Sequence, residues 1–257
     1  MKNILNGFLL SLQFFTSIPI RKTLPMNQQS VTAMFCTMPI ISFFMGLIIV
    51  FTNYLNNTYF QFTPLLLAIV IVVLNIAMTG GLHVDGWIDL SDAYFSYRDR
   101  ERRLEILSDS RVGAFGAIGL FVMLLLKIAF FYEILIQQPH DMLCFFIFIP
   151  VLSRLAMLIY FNLTKNIKDT GLAAYFKNQV LDQHLWMYIV LYIFIIIFTS
   201  FILHNSTIFI LLVCMFGFTI LYRKWTIKHF GGMTGDLLGA LYEGMELALW
   251  GILLLFI

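Results

Sequence analysis

Seven long apolar runs, separated by short polar connections, constrain this chain more than any other feature. They lie at roughly 31–51, 60–79, 113–136, 142–161, 185–203, 207–222 and 238–257. About 20 mainly apolar residues make a helix long enough to cross the hydrocarbon core of a bilayer, and only helices or closed barrels satisfy their backbone groups there. The expected fold is therefore all-α: a polytopic membrane helix bundle of about seven transmembrane helices, one integral-membrane domain over residues 1–257. Composition agrees. Of the 257 residues, 60% are apolar or aromatic and 12% are charged, against about 25% charged in an ordinary soluble domain. Mean hydropathy is +0.89. That balance excludes a soluble globular fold, a disordered or fibrous chain and a nucleic-acid-binding domain. A net charge of +2 is too small to imply a polyanionic partner.

The first 20 residues differ from the seven runs. Leu5, Phe8, Leu9, Leu12 and Phe15 share one helical face, while Asn6, Ser11, Gln13 and Ser17 interrupt the others. This pattern predicts an interfacial or half-inserted helix ending near Pro19. Charge placement tests the segmentation independently. Of the 16 Lys and Arg, 13 fall in alternate connections. Positive residues stay cytoplasmic, so the connections at 80–112, 162–184 and 223–237 are expected to face the cytoplasm and the C-terminus to face out. Lys127 and Arg154 fall inside spans, where an ionisable group is a functional candidate. Arg154 lies near the cytoplasmic end of its run, within reach of a substrate phosphate. Lys127 lies nearer the outer end and reads as snorkelling to the interface. Cys36, Cys144 and Cys214 sit singly in apolar stretches and read as small buried hydrophobes rather than zinc ligands or a disulfide framework.

Seven of the 14 acidic residues lie between positions 85 and 109. In the stretch Gly80-Gly81-Leu82-His83-Val84-Asp85-Gly86-Trp87-Ile88-Asp89-Leu90-Ser91-Asp92, the three aspartates at 85, 89 and 92 have i, i+4, i+7 spacing and share one helix face. Their mutual repulsion, about 0.2–0.5 kcal/mol per exposed pair, is relieved by a divalent cation. Oxygen-only ligands point to Mg²⁺ or Mn²⁺ rather than zinc. Gly80 and Gly81 are expected to break the preceding span and let a ligand approach the backbone. His83 reads either as a general base or as a residue that orients a neighbour. Arg100 and Arg102 read as a solvated helix face. Asp109 and Arg111, just before a glycine-punctuated span, are placed at the metal's depth, where an arginine forks onto a phosphate.

A second cluster comes late: His229-Phe230-Gly231-Gly232-Met233-Thr234-Gly235-Asp236, followed by Glu243 and Glu246. Asp236 and Glu243 are i, i+7, and the turn at Gly231 and Gly232 leads into a helix N-terminus suited to phosphate. Both acid clusters fall at the same ends of their spans and so can converge on one cavity. Carboxylates, arginines and glycine turns in a membrane bundle suggest metal-assisted phosphoryl or nucleotidyl transfer. No P-loop or kinase signature is present.

At these residues the chain resembles the cobalamin synthase (adenosylcobinamide-GDP ribazoletransferase) family. The resemblance rests on GGLHxDGxxD at 80–89, DSRxGxxG at 109–116 and GGxTGDxxGAxxE at 231–243. Weaker similarity lies in Phe15-Thr16-Ser17-Ile18-Pro19, Pro150-Val151-Leu152-Ser153-Arg154 and Gly171-Leu172, with Ser17 and Ala173 departing from the family pattern. The resemblance implies a Mg²⁺-dependent transferase of the inner or cytoplasmic membrane, with its active site toward the cytoplasm. It would join adenosylcobinamide-GDP to α-ribazole or its 5′-phosphate, releasing GMP. Individual roles go beyond what the resemblance supplies: Asp85, Asp89 and Asp92 are expected to hold the metal, with Asp236 and Glu243 completing its site or orienting the acceptor. On the same reading Asp85, Asp89 and His83 serve catalysis, and Gly80, Gly81, Asp109, Arg111, Arg154, Gly231 and Gly232 bind substrate. The lipid bilayer is the expected partner, a homo-oligomer or a complex with other cobalamin-assembly enzymes stays open, and no nucleic acid is expected. Two alternatives remain at this level. One is an alcohol phosphotransferase of the CDP-alcohol type, whose DGxxAR pattern residues 85–90 lack. The other is a cation transporter, disfavoured because the acids crowd the helix ends.

Overall fold

The computed structural model describes residues 2–137 and 143–256, so the connection at 138–142 and the extreme C-terminus of the last run lie outside the described residues. The described chain is helical, its only β-bridge joining Asn166 and Met233. In order, the helices are α1 (Lys2–Phe15), α2 (Gln28–Leu55, extended by a π-turn at Asn56–Phe60), α3 (Pro64–Thr79), α4 (Leu82–Phe95), α5 (Arg100–Ile106), α6 (Ala114–Gln137), α7 (Phe145–Leu163), α8 (Leu172–Gln179), α9 (Asp182–Ile202), α10 (Ser206–His229) and α11 (Gly235–Leu253). Among the described residues, six helices are long and apolar enough to cross a membrane, or seven if α3 and α4 count as one bent span. The expected multi-pass all-α bundle is what the chain forms.

Helices α2, α7 and α11 form the interior, whereas α6, α9 and α10 expose most of their surface. In α7 nearly every residue from Leu152 to Phe161 is inaccessible. The peripheral helices expose Phe121, Phe194, Phe201 and Val213, as a lipid-facing surface should. Helix α1 follows the same rule. At 14 residues it is about 21 Å long, too short to cross. It buries Asn6, Gly7, Leu10 and Ser11 against α2 and turns Ile4 and Leu5 outward. A side chain at Gly7 would strike Ala33, so α1 and α2 cross backbone to backbone there.

The site is positioned by one corner. Thr63 caps α3 with Pro64 at its first turn, and the helix ends at Gly80 and Gly81 with φ of 64° and 76°. Two successive left-handed residues are open to glycine and costly for others. They turn α4 by 96° relative to α3, so α4 lies across the ends of the spans instead of continuing outward. Gly113, Gly116 and Gly119, one stripe of α6, let α4 lie close against that helix: side chains there would meet Asp92 and Ser91. Trp87 Nε1 closes the contact by donating to the Gly119 carbonyl (3.0 Å).

Candidate active site

One cavity of about 410 Å³ opens at the end of the bundle where α4 crosses. Segments remote in sequence supply it: the end of α1, the start of α4, the end of α5, the loop before α8, and the first turn of α11. The three charged connections therefore meet at one end, as their alternation predicted.

Asp85 and Asp236 both line this cavity, from α4 and from the first turn of α11. They are brought together because Gly86 packs directly on the Asp236 backbone. Asp89 is half-buried one turn further along α4, behind the lining. Its burial, reinforced by the charges of Asp85, Asp236 and Asp92, pushes its carboxyl up to about 7. The α11 N-terminus also faces the cavity. Thr234 caps it by accepting from Leu237 N–H (3.2 Å), and Gly235 has open space around it. At the rim, Lys168 donates to Ser108 Oγ (2.6 Å), and both line the cavity.

Two acids expected in the metal set are engaged elsewhere. Asp92 is buried, and its carboxylate accepts from the backbone N–H groups of Gly113 (2.6 Å) and Gly116 (2.8 Å). It caps α6, where an acid is favoured by both unpaired amides and the helix dipole. Glu243 lies two turns deeper in α11 and is ion-paired with Lys127, which also bonds Glu246 (2.8 Å). Lys127 is thus fully enclosed by α6 and α11, not snorkelling. Among the described residues no group of three or more His, Cys, Asp or Glu stands close enough to hold a metal. What remains is the open pair Asp85 and Asp236, with Asp89 beside it.

His83 lines the cavity with 1% exposure, its ring 4.6 Å from that of Tyr242, and its Nε2 has no hydrogen-bond partner. Burial, with the positive charges of Arg154 and Lys127, holds its imidazole well below the usual range. A ring so hard to protonate suits orienting a hydroxyl better than accepting its proton. Arg154 is not in the lining. It is completely buried, with its guanidinium 4.6 Å from the Tyr242 ring centre and 5.6 Å from that of Phe15, and its Nε donates to Ser42 (3.2 Å). Any phosphate contact would require it to leave that sandwich; in place, it supports the wall from behind.

Asp109 and Arg111 stand outside the cavity, one and three residues beyond Ser108. The Arg111 fork grips the Asp109 carboxylate (2.7 and 2.9 Å), which holds the Asp109 carboxyl down at about 2. Gly231 and Gly232, expected to meet substrate, are explained by packing instead. Gly231 has φ of 92° and lies under the Arg100 guanidinium, whose Nε donates to Phe230 O (2.9 Å). Gly232 lies against the Lys165 carbonyl, inside the two bonds that join 165–167 to Met233. Arg100 is exposed, as expected of a solvated face, and also steadies this turn through that one bond. Gly80 and Gly81 act as the corner; neither is in the cavity lining.

Sequence reasoning missed Lys168 and, above all, one wall. Phe14, Phe15, Phe35, Phe161 and Phe176 line the cavity together. Phe35 stacks on Phe161 (centroids 4.3 Å) and meets Phe176 edge-on (5.7 Å), and Phe14 meets Phe176 edge-on (5.3 Å).

Comparison with known proteins bears on this architecture directly. The profile of the family described as "Cobalamin-5-phosphate synthase" matches residues 7–254. The chain belongs to that family. Curated relatives named adenosylcobinamide-GDP ribazoletransferase are similar along nearly the whole length. That of Geobacillus thermodenitrificans is 38% identical, over 98% of this chain and 96% of its own. That of Halalkalibacterium halodurans is 34% identical, over 98% and 97%, and that of Clostridioides difficile 31%, over 93% of each. No solved structure matches. Residues 80–89, 109–116 and 231–243, which carry the family resemblance, lie in the α4 corner, the start of α6 and the α11 entry.

Proposed function

We propose that this chain is an adenosylcobinamide-GDP ribazoletransferase: it moves the adenosylcobinamide-phosphate group of adenosylcobinamide-GDP onto α-ribazole or its 5′-phosphate, giving adenosylcobalamin or its phosphate and GMP. Membership of the family and the names of its relatives support the reaction. The observation that carries the site is that Asp85 and Asp236, 151 positions apart, face one cavity beside an aromatic wall. We further propose that Mg²⁺ serves the reaction and that the site faces the cytoplasm of a cell membrane, as the basic connections favour.

The donor set fits the ion. Mg²⁺ is usually held by one or two carboxylates with substrate phosphates and water completing its shell, and Asp85 and Asp236 are such a pair. When bound, the ion would neutralise charge developing on the diphosphate. The chain's own groups do the rest. Lys168 and the α11 N-terminus attract the diphosphate, and His83 Nε2 orients a ribose hydroxyl of the acceptor. The hydroxyl oxygen forms a bond to the cobinamide-side phosphorus as the bond to the bridging oxygen breaks and GMP leaves. The hydroxyl proton passes to the carboxylate cluster, in which the burial of Asp89, reinforced by the neighbouring carboxylates, favours uptake of one proton. The CDP-alcohol type of transfer gains no support from these residues.

The test uses purified protein in lipid with adenosylcobinamide-GDP, α-ribazole and Mg²⁺, with GMP and corrinoid product separated by chromatography. Product that disappears with EDTA and falls on the order of 100-fold in Asp85→Asn is expected. No product from folded protein with either acceptor form overturns the assignment.

A further inference from the structure

The cavity is small for the pair of substrates it serves. Ligand cavities run from about 300 to 1,000 Å³, and this one, at about 410 Å³, stands near the lower limit. A corrin ring carrying its adenosyl group and side chains does not enter such a space. One nucleoside does.

Two nucleosides take part in the reaction proposed above: the guanosine of the donor and the benzimidazole riboside of the acceptor. The chemistry of the wall separates them. At the aromatic end the cavity is bounded by Phe15, Phe35, Met157, Phe161, Phe176 and Leu238, none with a polar side-chain group that could pair with a base edge. Guanine carries N–H donors and a carbonyl on its edge; here they would be stripped of water and left unpaired, at a cost that rejects such a ligand strongly. Dimethylbenzimidazole has an apolar edge and a flat face, and needs only rings to stack on. Where α4 and the first turn of α11 line it, the cavity is polar. Asp85, Asp236 and the unpartnered, buried Nε2 of His83 stand there, where a ribose joined to the stacked base would place its hydroxyls.

We infer that the cavity is the acceptor site: the benzimidazole of α-ribazole occupies the phenylalanine slot and its ribose reaches His83 and the Asp85–Asp236 pair, while the corrin and guanosine of the donor stay at the mouth. This rests on the transferase reading for the identity of the acceptor, but binding tests it without turnover. Equilibrium dialysis of the full-length protein in nanodiscs, without metal, measures α-ribazole binding and its displacement by free dimethylbenzimidazole or guanosine. Saturable α-ribazole binding, displaced by dimethylbenzimidazole and not by guanosine, is the expected result. Phe176→Leu keeps an apolar side chain and removes one ring; it should weaken α-ribazole binding about tenfold, the loss of one stacking partner. In turnover it should raise the KM for α-ribazole and leave the KM for adenosylcobinamide-GDP in place.

Displacement by guanosine, or no α-ribazole binding to wild-type protein that does turn over, overturns the acceptor site and leaves the transferase standing. An α-ribazole site in protein that fails to turn over would keep the pocket and overturn the reaction. The wild-type competition needs no variant, so poor folding of Phe176→Leu leaves it decisive.

Discussion

Helix α11 carries two acid sites two turns apart, and they have opposite characters. Asp236, at its first turn, faces an open cavity beside Asp85, with a weak contact from Thr234 (3.4 Å) and no ion pair of its own among the described residues. Glu243 is 3% exposed and, with Glu246, encloses the Lys127 ammonium. Arg154, 4.6 Å from the Tyr242 ring centre, brings the buried charges there to two of each sign. The difference teaches what acids in a membrane bundle are for. Those balanced by buried cations hold helices together; those left repelling one another at a cavity are available to a ligand. Position on a helix face does not distinguish the two, whereas the partner does.

The largest effect that can break this contrast is Lys127→Met. Removing one partner strands a buried charge, at a cost of about 3–5 kcal/mol, so the variant should lose most of its thermal stability in detergent, with no rescue by Mg²⁺. Adding Glu243→Gln and Glu246→Gln should restore much of the melting temperature and leave the metal requirement as in wild type. A restored fold that no longer responds to Mg²⁺ would return Glu243 to the metal set.

Asp85→Asn should do the reverse: transfer falls on the order of 100-fold, about 2.7 kcal/mol in barrier, while the melting temperature holds. Asp92 supplies a third test. Asp92→Ala removes the α6 cap and should cost about 1–2 kcal/mol of stability, read as a lower midpoint of unfolding. Asp92→Asn retains one acceptor oxygen and should recover part of it. A Mg²⁺ affinity that shifts more than the stability would place Asp92 with Asp85.

The smallest effect is in pH. The Asp89 carboxyl is pushed above its ordinary value, to about 7. Between the unfolded value near 4 and 7 the folded state holds one proton more than the unfolded state, so this group's contribution to stability falls as pH rises through that window. Thermal midpoints of metal-free protein should therefore decline toward pH 7, and Asp89→Asn should flatten the slope. Because proton and cation compete for the cluster, half-maximal activity should need more Mg²⁺ as pH falls below about 7.

Much of the fold was legible because the apolar runs and the alternating basic connections report the same segmentation. The Gly80–Gly81 break was legible for a local reason: only glycine turns a chain so. Asp92 was not. Its helical phase matches Asp85 and Asp89, and what diverts it is a pair of amides more than 20 residues later. Lys127 was misread for the same reason, since its acids lie 116 and 119 residues away. The phenylalanine wall was invisible because its members come from α1, α2, α7 and α8, where the sequence does not tell a ring facing a cavity from one facing lipid. In α1 it was the small and polar stripe, not the apolar one, that turned inward.

The short parallel bridge between Asn166 and Met233 has a mechanical consequence. Backbone bonds of 3.0 Å on either side of it tie the segment before Lys168 to the entry of α11, so the loop that carries the lysine and the turn that carries Asp236 form one jaw. The opposite side is tied as well: in the segment between α1 and α2, which has no regular structure, Ser17 N–H donates to the Met78 carbonyl (2.9 Å) and Tyr175 Oη to the Met26 carbonyl (2.8 Å). With both sides anchored, a donor wider than the cavity meets a preformed edge, and only its diphosphate has to reach between the phenylalanine wall and the jaw that carries the charge.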